Sequence, residues 1–188
     1  MSNTDRAIWQ KFGIARRDNL PFVGKGSRVQ LAELFGQLGF KTGAEIGVYT
    51  GQYSDTLLAC APGLTLLCVD PWAGRRMAGH FVRTQRRLEK YGDTAKIMRM
   101  TSVEAAKLVP DRSLDFVYID ALHDFSSVML DILLWAPKVK PGGIVSGHDY
   151  VCGYQIGVIP AVDAFVRGHN IQNLYLTREW LHSWFWVG

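Results

Sequence analysis

The stretch Ala44-Glu-Ile-Gly-Val-Tyr-Thr-Gly-Gln-Tyr53 decides the fold, because an apolar strand must end and a helix must begin near it. Gly47 and Gly51 stand four residues apart, and glycine, which lacks a Cβ, allows a sharp turn and the close approach of a ligand to the main chain. A helix is predicted from about Ser54 to Ala61, so the loop would present unpaired N–H groups and a positive helix end. The stretch therefore indicates a nucleotide-type crevice.

The residues around these glycines narrow the choice of ligand. Glu45 precedes the first glycine, and the third glycine of the dinucleotide pattern Gly-x-Gly-x-x-Gly is missing. A carboxylate here would repel phosphate, so we expect it near the amino group of a positively charged ligand; an ordinary tight turn is the alternative. Asp70 ends the apolar run from Leu64 to Val69, where an acidic residue is placed to hold a ribose. Its position favours a nucleoside ligand.

The glycine loop resembles the first motif, Glu-Leu-Gly-x-Tyr-x-Gly-Tyr-Ser, of the class I S-adenosylmethionine-dependent methyltransferases. Within them it resembles the small O-methyltransferases of the catechol O-methyltransferase type and those that act on sugars. The resemblance extends over about residues 27–165, with Gln52 as an extra residue in the motif. The matching positions are Glu45, Gly47, Tyr49, Gly51, Tyr53 and Ser54.

The resemblance implies an α/β fold: a Rossmann-like, doubly wound, mostly parallel sheet of seven strands, with helices on both faces and an antiparallel last strand. It implies S-adenosylmethionine as cofactor and O-methylation of a small molecule, a phenol or a sugar of a natural product. Ser102, directly after the third strand, is expected near the adenine, with a helix N-cap as the alternative. The expected cofactor-binding residues are Glu45, Gly47, Gly51, Asp70, Trp72 (against the adenine) and Ser102.

Acidic and histidine residues follow two further apolar strands. Asp120 ends a strand that starts at Leu114, and His148 and Asp149 follow a strand that starts at Ile144. Ligands of open parallel sheets bind outside the carboxyl ends of the strands, so these side chains should lie in one crevice. Their oxygen and imidazole groups suit a divalent cation. The expected metal ligands are Asp120, His148 and Asp149, and a structural histidine is the alternative for His148.

The resemblance implies a similar metal site, with one difference. The metal-dependent members have Asp at the first position and Asp-Asn at the second, so His148 opens the site to softer divalent ions than Mg²⁺. Their lysine base lies three residues after the first Asp, and His123 has that position here. A neutral imidazole can accept a hydroxyl proton. The expected catalytic residues are His123 and Asp120; alternatively, His123 is a metal ligand or caps the next helix.

Length and composition predict one globular domain. The chain has 188 residues, of which 48% are hydrophobic and 20% charged. We divide it into an N-terminal appendage (residues 1–27) and a methyltransferase-like domain (residues 28–188). The sequence has three cysteines without metal-ligand spacing, and it shows no apolar signal segment and no membrane-spanning stretch. These features predict a cytoplasmic protein. Near the C-terminus, Trp180, Trp184 and Trp186 are expected in a final, core-packed strand.

The positive charge is concentrated in one segment. Residues 75–91 contain six basic residues and one acidic residue, whereas the whole chain has a net charge of +4. This segment could be a solvated helix face, or it could be a surface that attracts an anionic substrate. The basic patch consists of Arg83, Arg86, Arg87 and Lys90, which share a helix face. It has no interleaved aromatic residues, so nucleic acid is not expected as a partner.

The expected partners are a small hydroxylated substrate, anionic if the patch is used, and a second copy of the chain; no membrane partner is expected. Two other functions stay open. A nicotinamide-dependent oxidoreductase could use a similar sheet, but the missing third glycine disfavours it. A non-catalytic binding protein could keep the fold, and it would be distinguished by its failure to bind the cofactor.

Overall fold

The structure is a computed structural model that describes residues 2–14, 21–153 and 157–188, with residue 76 described by its backbone alone. Seven α-helices and eight strands are present in this part of the chain. The helices are α1 Asn3–Phe12, α2 Arg28–Gln37, α3 Gln52–Cys60, α4 Arg75–Leu88, α5 Ser102–Leu108, α6 Phe125–Trp135 and α7 Val158–Gly168. The strands are β1 Phe22–Val23, β2 Thr42–Ile46, β3 Thr65–Val69, β4 Ala95–Met98, β5 Leu114–Ile119, β6 Val139–Gly147, β7 Tyr175–Leu176 and β8 Trp184–Val187.

One sheet joins all of these strands in the order β1-β7-β8-β6-β5-β2-β3-β4. Every neighbouring pair is parallel except the two that involve β8, which is antiparallel to both β6 and β7. The predicted mostly parallel sheet and antiparallel last strand are confirmed. The eighth strand is the short β1, which pairs with β7 through Phe22 and Tyr175 and lies in the predicted N-terminal appendage, where no strand was expected.

Helices cover both faces of the sheet, as expected of a doubly wound fold. Along β5 the side chains alternate, so that Phe116 and Tyr118 face one core cluster while Val117 and Ile119 face the other. Helices α1 to α4 contribute to the first cluster, and α5 to α7 to the second. Because both faces are buried, the central strands consist mainly of apolar residues. The carboxyl ends of the parallel strands remain as the place where polar side chains can collect.

The C-terminal tryptophans divide between the core and the surface. Trp184 and Trp186 lie in β8, are buried, and stack on each other with ring centroids 5.2 Å apart. Trp180 lies in the connection before β8 and is 88% exposed, so its predicted place in the last strand was wrong. The reason is the turn formed by residues 177–183, in which Ser183 N donates to the hydroxyl of Thr177 and keeps Trp180 at the tip.

The N-terminal segment packs against the sheet. Ile8 and Phe12 of α1 are fully buried, and the Thr4 hydroxyl donates to the carbonyl of Gly142 at 2.8 Å. Residues 1 and 15–20 of the predicted appendage lie outside the described residues. The division into residues 1–27 and 28–188 stays a prediction. Within the three described ranges, no helix combines the length and apolar character that crossing a membrane requires.

Candidate active site

The candidate site lies outside the carboxyl ends of β2, β3, β5 and β6. Strand β2 has β3 on one side and β5 on the other, so the chain changes direction across the sheet at β2. Such a switch point opens a crevice between the connections that leave the two sides. Two neighbouring cavities are found there, of about 330 Å³ and about 310 Å³. Both are lined in part by Gly47, Tyr49, Asp120 and Ala121, so the two cavities meet over the glycine loop.

The two cavities differ in chemistry. The larger one is mainly apolar, and its lining includes Ile46, Val69, Pro71, Met77 and Leu122 as well as Asp70 and Ser102. The smaller one, called the polar cavity below, has a larger share of polar groups, and its lining includes Arg28, Glu45, Thr50, Gln52, Tyr53 and His123. A wider groove of about 460 Å³ runs beside α4 and β4, but none of the predicted site residues lines it. The paired cavities therefore suit a ligand with one apolar and one charged end.

Gly47 and Gly51 shape the floor between the cavities. Gly47 has a φ of +90°, and a Cβ added there would lie 2.1 Å from the carbonyl oxygen of Asp120. Gly51 has a φ of +73° and is the N-cap of α3, which begins at Gln52, slightly before the predicted start. Tyr49 also has a positive φ, +56°, and exposes 56% of its surface. Such strained positions cluster at ligand-binding loops, because the surrounding structure must hold them.

Asp70 ties the glycine loop to the end of β3. Its Oδ2 accepts hydrogen bonds from the N–H groups of Val48 at 3.1 Å and Tyr49 at 2.9 Å, and its Oδ1 accepts from Trp72 N at 2.7 Å. An ionised carboxylate offers about four acceptor positions, so these three bonds leave capacity for a ligand hydroxyl. Because Asp70 also lines the apolar cavity, one carboxylate can hold the loop and face the ligand.

Trp72 lies beneath the loop and does not line either cavity. Its side chain is 1% exposed, its Nε1 donates to the Tyr49 carbonyl at 2.7 Å, and its ring packs against Phe81 at 5.0 Å. The structure thus does not bring Trp72 to the place predicted for the adenine. The backbone explains the difference, because a φ of +41° at Trp72 turns the side chain into the core.

Glu45 lies at the base of the polar cavity. Only 2% of its surface is exposed, and its carboxylate accepts a hydrogen bond from the Ser54 hydroxyl. Burial raises the pKa of Glu45 to about 8, the bond from Ser54 opposes this rise, and the charge of Asp120 adds to it. The Ser54 contact shows that the extra Gln52 does not prevent Ser54 from meeting Glu45. A cation entering the cavity would favour the ionised form of this carboxyl.

Ser102 begins α5 and lines the apolar cavity. The N-cap of the helix is Thr101, whose side chain accepts from Glu104 N, so the alternative role of Ser102 as N-cap was wrong. Ser102 donates its hydroxyl proton to Asp131 and accepts a hydrogen bond from Trp135 Nε1 at 2.8 Å. Its side chain is therefore held by α6 at the edge of the cavity.

The predicted metal site is brought together, with a different histidine closest to the acids. His123 Nε2 lies 2.9 Å from Asp149 Oδ2 and 3.4 Å from Asp120 Oδ1. One ligand atom from each of these three residues lies within 4.8 Å of the others. His148 Nδ1 is slightly farther, 3.7 Å from Asp120 Oδ2 and 3.5 Å from Asp149 Oδ1. The cluster has two carboxylates with His123 between them and His148 beside them.

Two observations fit a cation in this cluster. Asp149 Oδ1 is buried, and its contact with His148 Nδ1 at 3.5 Å is not a hydrogen bond, so it has no hydrogen-bond partner in the part of the chain that the structure describes. Asp149 also has a φ of +60°, a costly conformation for a residue other than glycine. A buried acceptor without a partner is unfavourable, and a bound cation would satisfy it. The mixed carboxylate and imidazole donors suit Mn²⁺, Fe²⁺ or Zn²⁺ better than Mg²⁺.

The carboxylates change the expected protonation of His123. Hydrogen bonds with Asp120 and Asp149 raise the pKa of His123 to about 9, although burial opposes the rise. For Asp149, burial raises the pKa, but the close contacts and charges of His123 and His148 outweigh it and hold the pKa well below its usual range. Without a metal, His123 is therefore mainly an imidazolium at neutral pH. It can accept a proton only after a cation or a change in the cluster has displaced its own.

Arg28 is a site residue that the sequence did not reveal. It is the first residue of α2, its Nη1 lies 3.9 Å from Asp120 Oδ2, and its guanidinium stacks over the Tyr53 ring at 5.2 Å. Glu179 holds the start of the helix by accepting from Arg28 N at 2.8 Å. No motif spacing marks this residue, because it reaches the crevice from a helix that precedes the glycine loop. It adds a cation to the polar cavity.

Two of the four residues of the basic patch make contacts with other residues of the chain. Arg87 Nη1 donates to the Thr50 carbonyl at 2.6 Å and so supports the glycine loop, while Lys90 pairs with Asp55 at 2.8 Å. Arg83 and Arg86 are exposed. The side chain of Arg76, in the same basic segment, lies outside the described part of the structure. Support of the glycine loop is thus one role of the patch.

Comparison with solved structures shows the fold. An O-methyltransferase from Bacillus cereus in complex with SAH has a TM-score of 0.68 and 12% identity, over all of this chain and 92% of that one. A putative caffeoyl-CoA O-methyltransferase from Staphylococcus aureus has a TM-score of 0.67 and 14% identity, over all of this chain and 93% of that one. A putative O-methyltransferase from Klebsiella pneumoniae has a TM-score of 0.64 and 17% identity, with coverages of 98% and 89%.

Comparison of the sequence shows the family. An uncharacterized protein, y4gI, of Sinorhizobium fredii is 30% identical over 86 residues, which are 43% of this chain but only 10% of the relative. The chain thus matches about a tenth of that protein's length. The family model described as a methyltransferase domain matches residues 44–150, from the first site strand to the residue after Asp149. More than half of the chain and all of the predicted site residues fall within that match, and the chain belongs to this methyltransferase-domain family.

Proposed function

We propose that the protein transfers a methyl group from S-adenosylmethionine to a hydroxyl of a small molecule. The observation that carries this proposal is the pair of cavities that meet over Gly47, one apolar and one charged, beside the cluster of Asp120, His123 and Asp149. S-adenosylmethionine has a nucleoside at one end and an amino acid at the other. The similar fold of the Bacillus cereus O-methyltransferase, whose structure is a complex with SAH, supports the same interpretation.

Each end of the cofactor has matching groups in the crevice. In the apolar cavity, Asp70 would accept hydrogen bonds from the ribose hydroxyls, and Ser102 would meet the purine. In the polar cavity, Glu45 would face the ammonium group, and Arg28 would face the carboxylate. The bound cofactor supplies an electrophilic methyl group on a sulfonium. Gly47 and Tyr49 line both cavities and would lie beneath that centre.

The acid and histidine cluster would prepare the acceptor hydroxyl. Asp120, Asp149 and His123 are the residues placed to hold a divalent ion, and His148 lies next to them. A metal ion bound there would lower the pKa of a coordinated hydroxyl. When His123 is a ligand, His148 is the remaining imidazole near the acids and the candidate proton acceptor. When His148 is the ligand, as the sequence predicts, His123 keeps the role of base.

We also propose a substrate class, a cytoplasmic location and a homo-oligomeric assembly. Phenols and sugars both offer a hydroxyl, and a negatively charged substrate would be attracted by the exposed Arg83 and Arg86. A cytoplasmic location is supported by Cys60, Cys68 and Cys152, which are free thiols. A homo-oligomer is supported by the exposed apolar side chains Leu130 and Leu133 on α6.

Isothermal titration calorimetry with three ligands tests the proposed function. We expect S-adenosylmethionine and S-adenosylhomocysteine to bind and NAD not to bind, because the glycine loop lacks the third glycine and has Glu45 where a phosphate would be repelled. Binding of NAD alone would favour the oxidoreductase. Binding of none of the three would favour a protein that keeps the fold without the cofactor.

A pH series should show a proton linked to cofactor binding. Because the pKa of Glu45 is raised to about 8 by burial, and an ammonium group favours the carboxylate, the affinity for S-adenosylhomocysteine should rise from pH 6 to pH 8. The rise should be at most about tenfold per pH unit, because one proton is released. Glu45→Gln should flatten it. Methylthioadenosine, which lacks the amino acid, is the matched ligand control, and a parallel rise with this ligand would remove Glu45 from the ammonium site.

A further inference from the structure

A buried acid on α6 lies behind the apolar cavity and has no part in the proposed chemistry. Asp131 is 5% exposed, and its Oδ1 accepts the hydrogen bond from the Ser102 hydroxyl. The same hydroxyl oxygen accepts from Trp135 Nε1 at 2.8 Å. Trp135 is fully buried in the core, and an indole nitrogen can only donate. Asp131 and Trp135, both on α6, therefore determine which hydrogen bonds the Ser102 hydroxyl can still form.

A count of donors and acceptors gives the remaining capacity of this hydroxyl. Serine offers one proton and two lone pairs. The proton is given to Asp131, and one lone pair is taken by Trp135. One acceptor position is left, and Ser102 lines the apolar cavity. A ligand atom that meets this hydroxyl must therefore be a donor, whereas an acceptor atom would face an oxygen without a proton to give.

We propose that Asp131 is a specificity-determining residue, which fixes the Ser102 hydroxyl as an acceptor so that the crevice selects a 6-amino purine over a 6-oxo purine. The inference rests on the proposed function, because it places the adenine of the cofactor in the apolar cavity. The exocyclic amino group of adenine donates to the free lone pair. The carbonyl of hypoxanthine would place two acceptors against each other, and a buried unpaired acceptor is costly.

Burial raises the pKa of Asp131 above its ordinary value, although the hydrogen bond from Ser102 opposes the rise. The test therefore compares S-adenosylhomocysteine with S-inosylhomocysteine, its 6-oxo analogue, by calorimetry at pH 8, well above the usual range of a carboxyl pKa. The wild-type protein should prefer the amino form by about tenfold or more. Asp131→Leu has a similar size but no acceptor, so the Ser102 proton becomes free to meet the 6-oxo group. The preference should then fall to near unity, mainly because the analogue binds better.

The control is Asp115→Leu at the start of β5, on the opposite end of the sheet. Asp115 accepts from the N–H groups of Lys41 and Thr42, so its loss should lower stability but leave the preference unchanged. Ser102→Ala is the second variant and keeps the test open if Asp131→Leu does not fold: it should lose the preference as well.

Three results would overturn the inference. They are no preference in the wild-type protein, an unchanged preference in Asp131→Leu, and an unchanged preference in Ser102→Ala. Failure of the wild-type protein to bind either ligand is a different result, which overturns the proposed function along with the inference. An equal weakening of both ligands in Asp131→Leu would assign that residue a structural role only.

Discussion

Alanine in place of His123 should abolish high-affinity binding of a divalent ion, whereas alanine in place of His148 should only weaken it. The geometry supports this order, because His123 Nε2 lies 2.9 Å from Asp149 and 3.4 Å from Asp120, and His148 Nδ1 is farther from both acids. Loss of a neighbouring residue that only orients a ligand costs about 10- to 100-fold in metal affinity. We therefore expect about 10- to 100-fold for His148→Ala and a larger loss for His123→Ala.

The measurement is calorimetric titration of Mn²⁺ and Zn²⁺ into the protein after treatment with a chelator. S-adenosylhomocysteine binding is the control, because in the proposed site the nucleoside end would contact Asp70 and Ser102, which are not members of the cluster. Both variants should keep that binding within a small factor. His148→Asp should shift the preference toward Mg²⁺, since it adds an oxygen ligand. A larger metal loss in His148→Ala than in His123→Ala would restore the ligand set predicted from the sequence.

Turnover measured with and without a chelator tests whether a metal ion takes part in the reaction. In the metal-free protein, Asp120 and Asp149 raise the pKa of His123. If His123 is a metal ligand, a bound metal ion would take the place of its proton beside these two carboxylates. Activity should then be lost in chelator. Full activity in chelator would remove the metal site and leave a metal-free histidine as the base.

The fold was largely predictable, because the glycines mark positions where the backbone needs a positive φ and the acidic residues mark the ends of strands. Gly47 and Gly51 do adopt left-handed φ values, and Asp70 and Asp120 do follow the two parallel strands, β3 and β5, that flank β2. These features depend on a few consecutive residues and on the periodicity of apolar side chains. The family match and the solved relatives confirm the methyltransferase fold that they indicated.

The details that sequence missed depend on distant contacts or on unusual dihedral angles. Trp72 points into the core because of its positive φ, and Arg28 reaches Asp120 from a helix that begins 92 positions earlier in the chain. His123 meets Asp149 because the connections after β5 and β6 lie side by side. None of these contacts follows from spacing within a motif. They appear only once the sheet order is known.

The other large effect is expected at the glycine that separates the two cavities. Gly47→Ala should destabilise the fold and prevent cofactor binding, because the new Cβ would lie 2.1 Å from the carbonyl oxygen of Asp120 and 2.7 Å from Ala121 Cα. Both neighbours are backbone atoms, so they cannot move aside as a flexible side chain would. The shift would also move Asp120 away from His123 and Asp149 in the proposed metal site.

Gly74→Ala is the matched control for this substitution. Gly74 has a φ of +86°, close to the +90° of Gly47, but a Cβ added there meets nothing within 4 Å. Both variants carry the strain of a left-handed backbone, which costs about 1–3 kcal/mol, and only Gly47→Ala adds the overlap, worth a further ~1–3 kcal/mol. Urea unfolding and titration with S-adenosylhomocysteine measure the two effects. Equal losses of stability, or full cofactor binding by Gly47→Ala, would show that the loop does not need the close approach of β2 to the connection after β5.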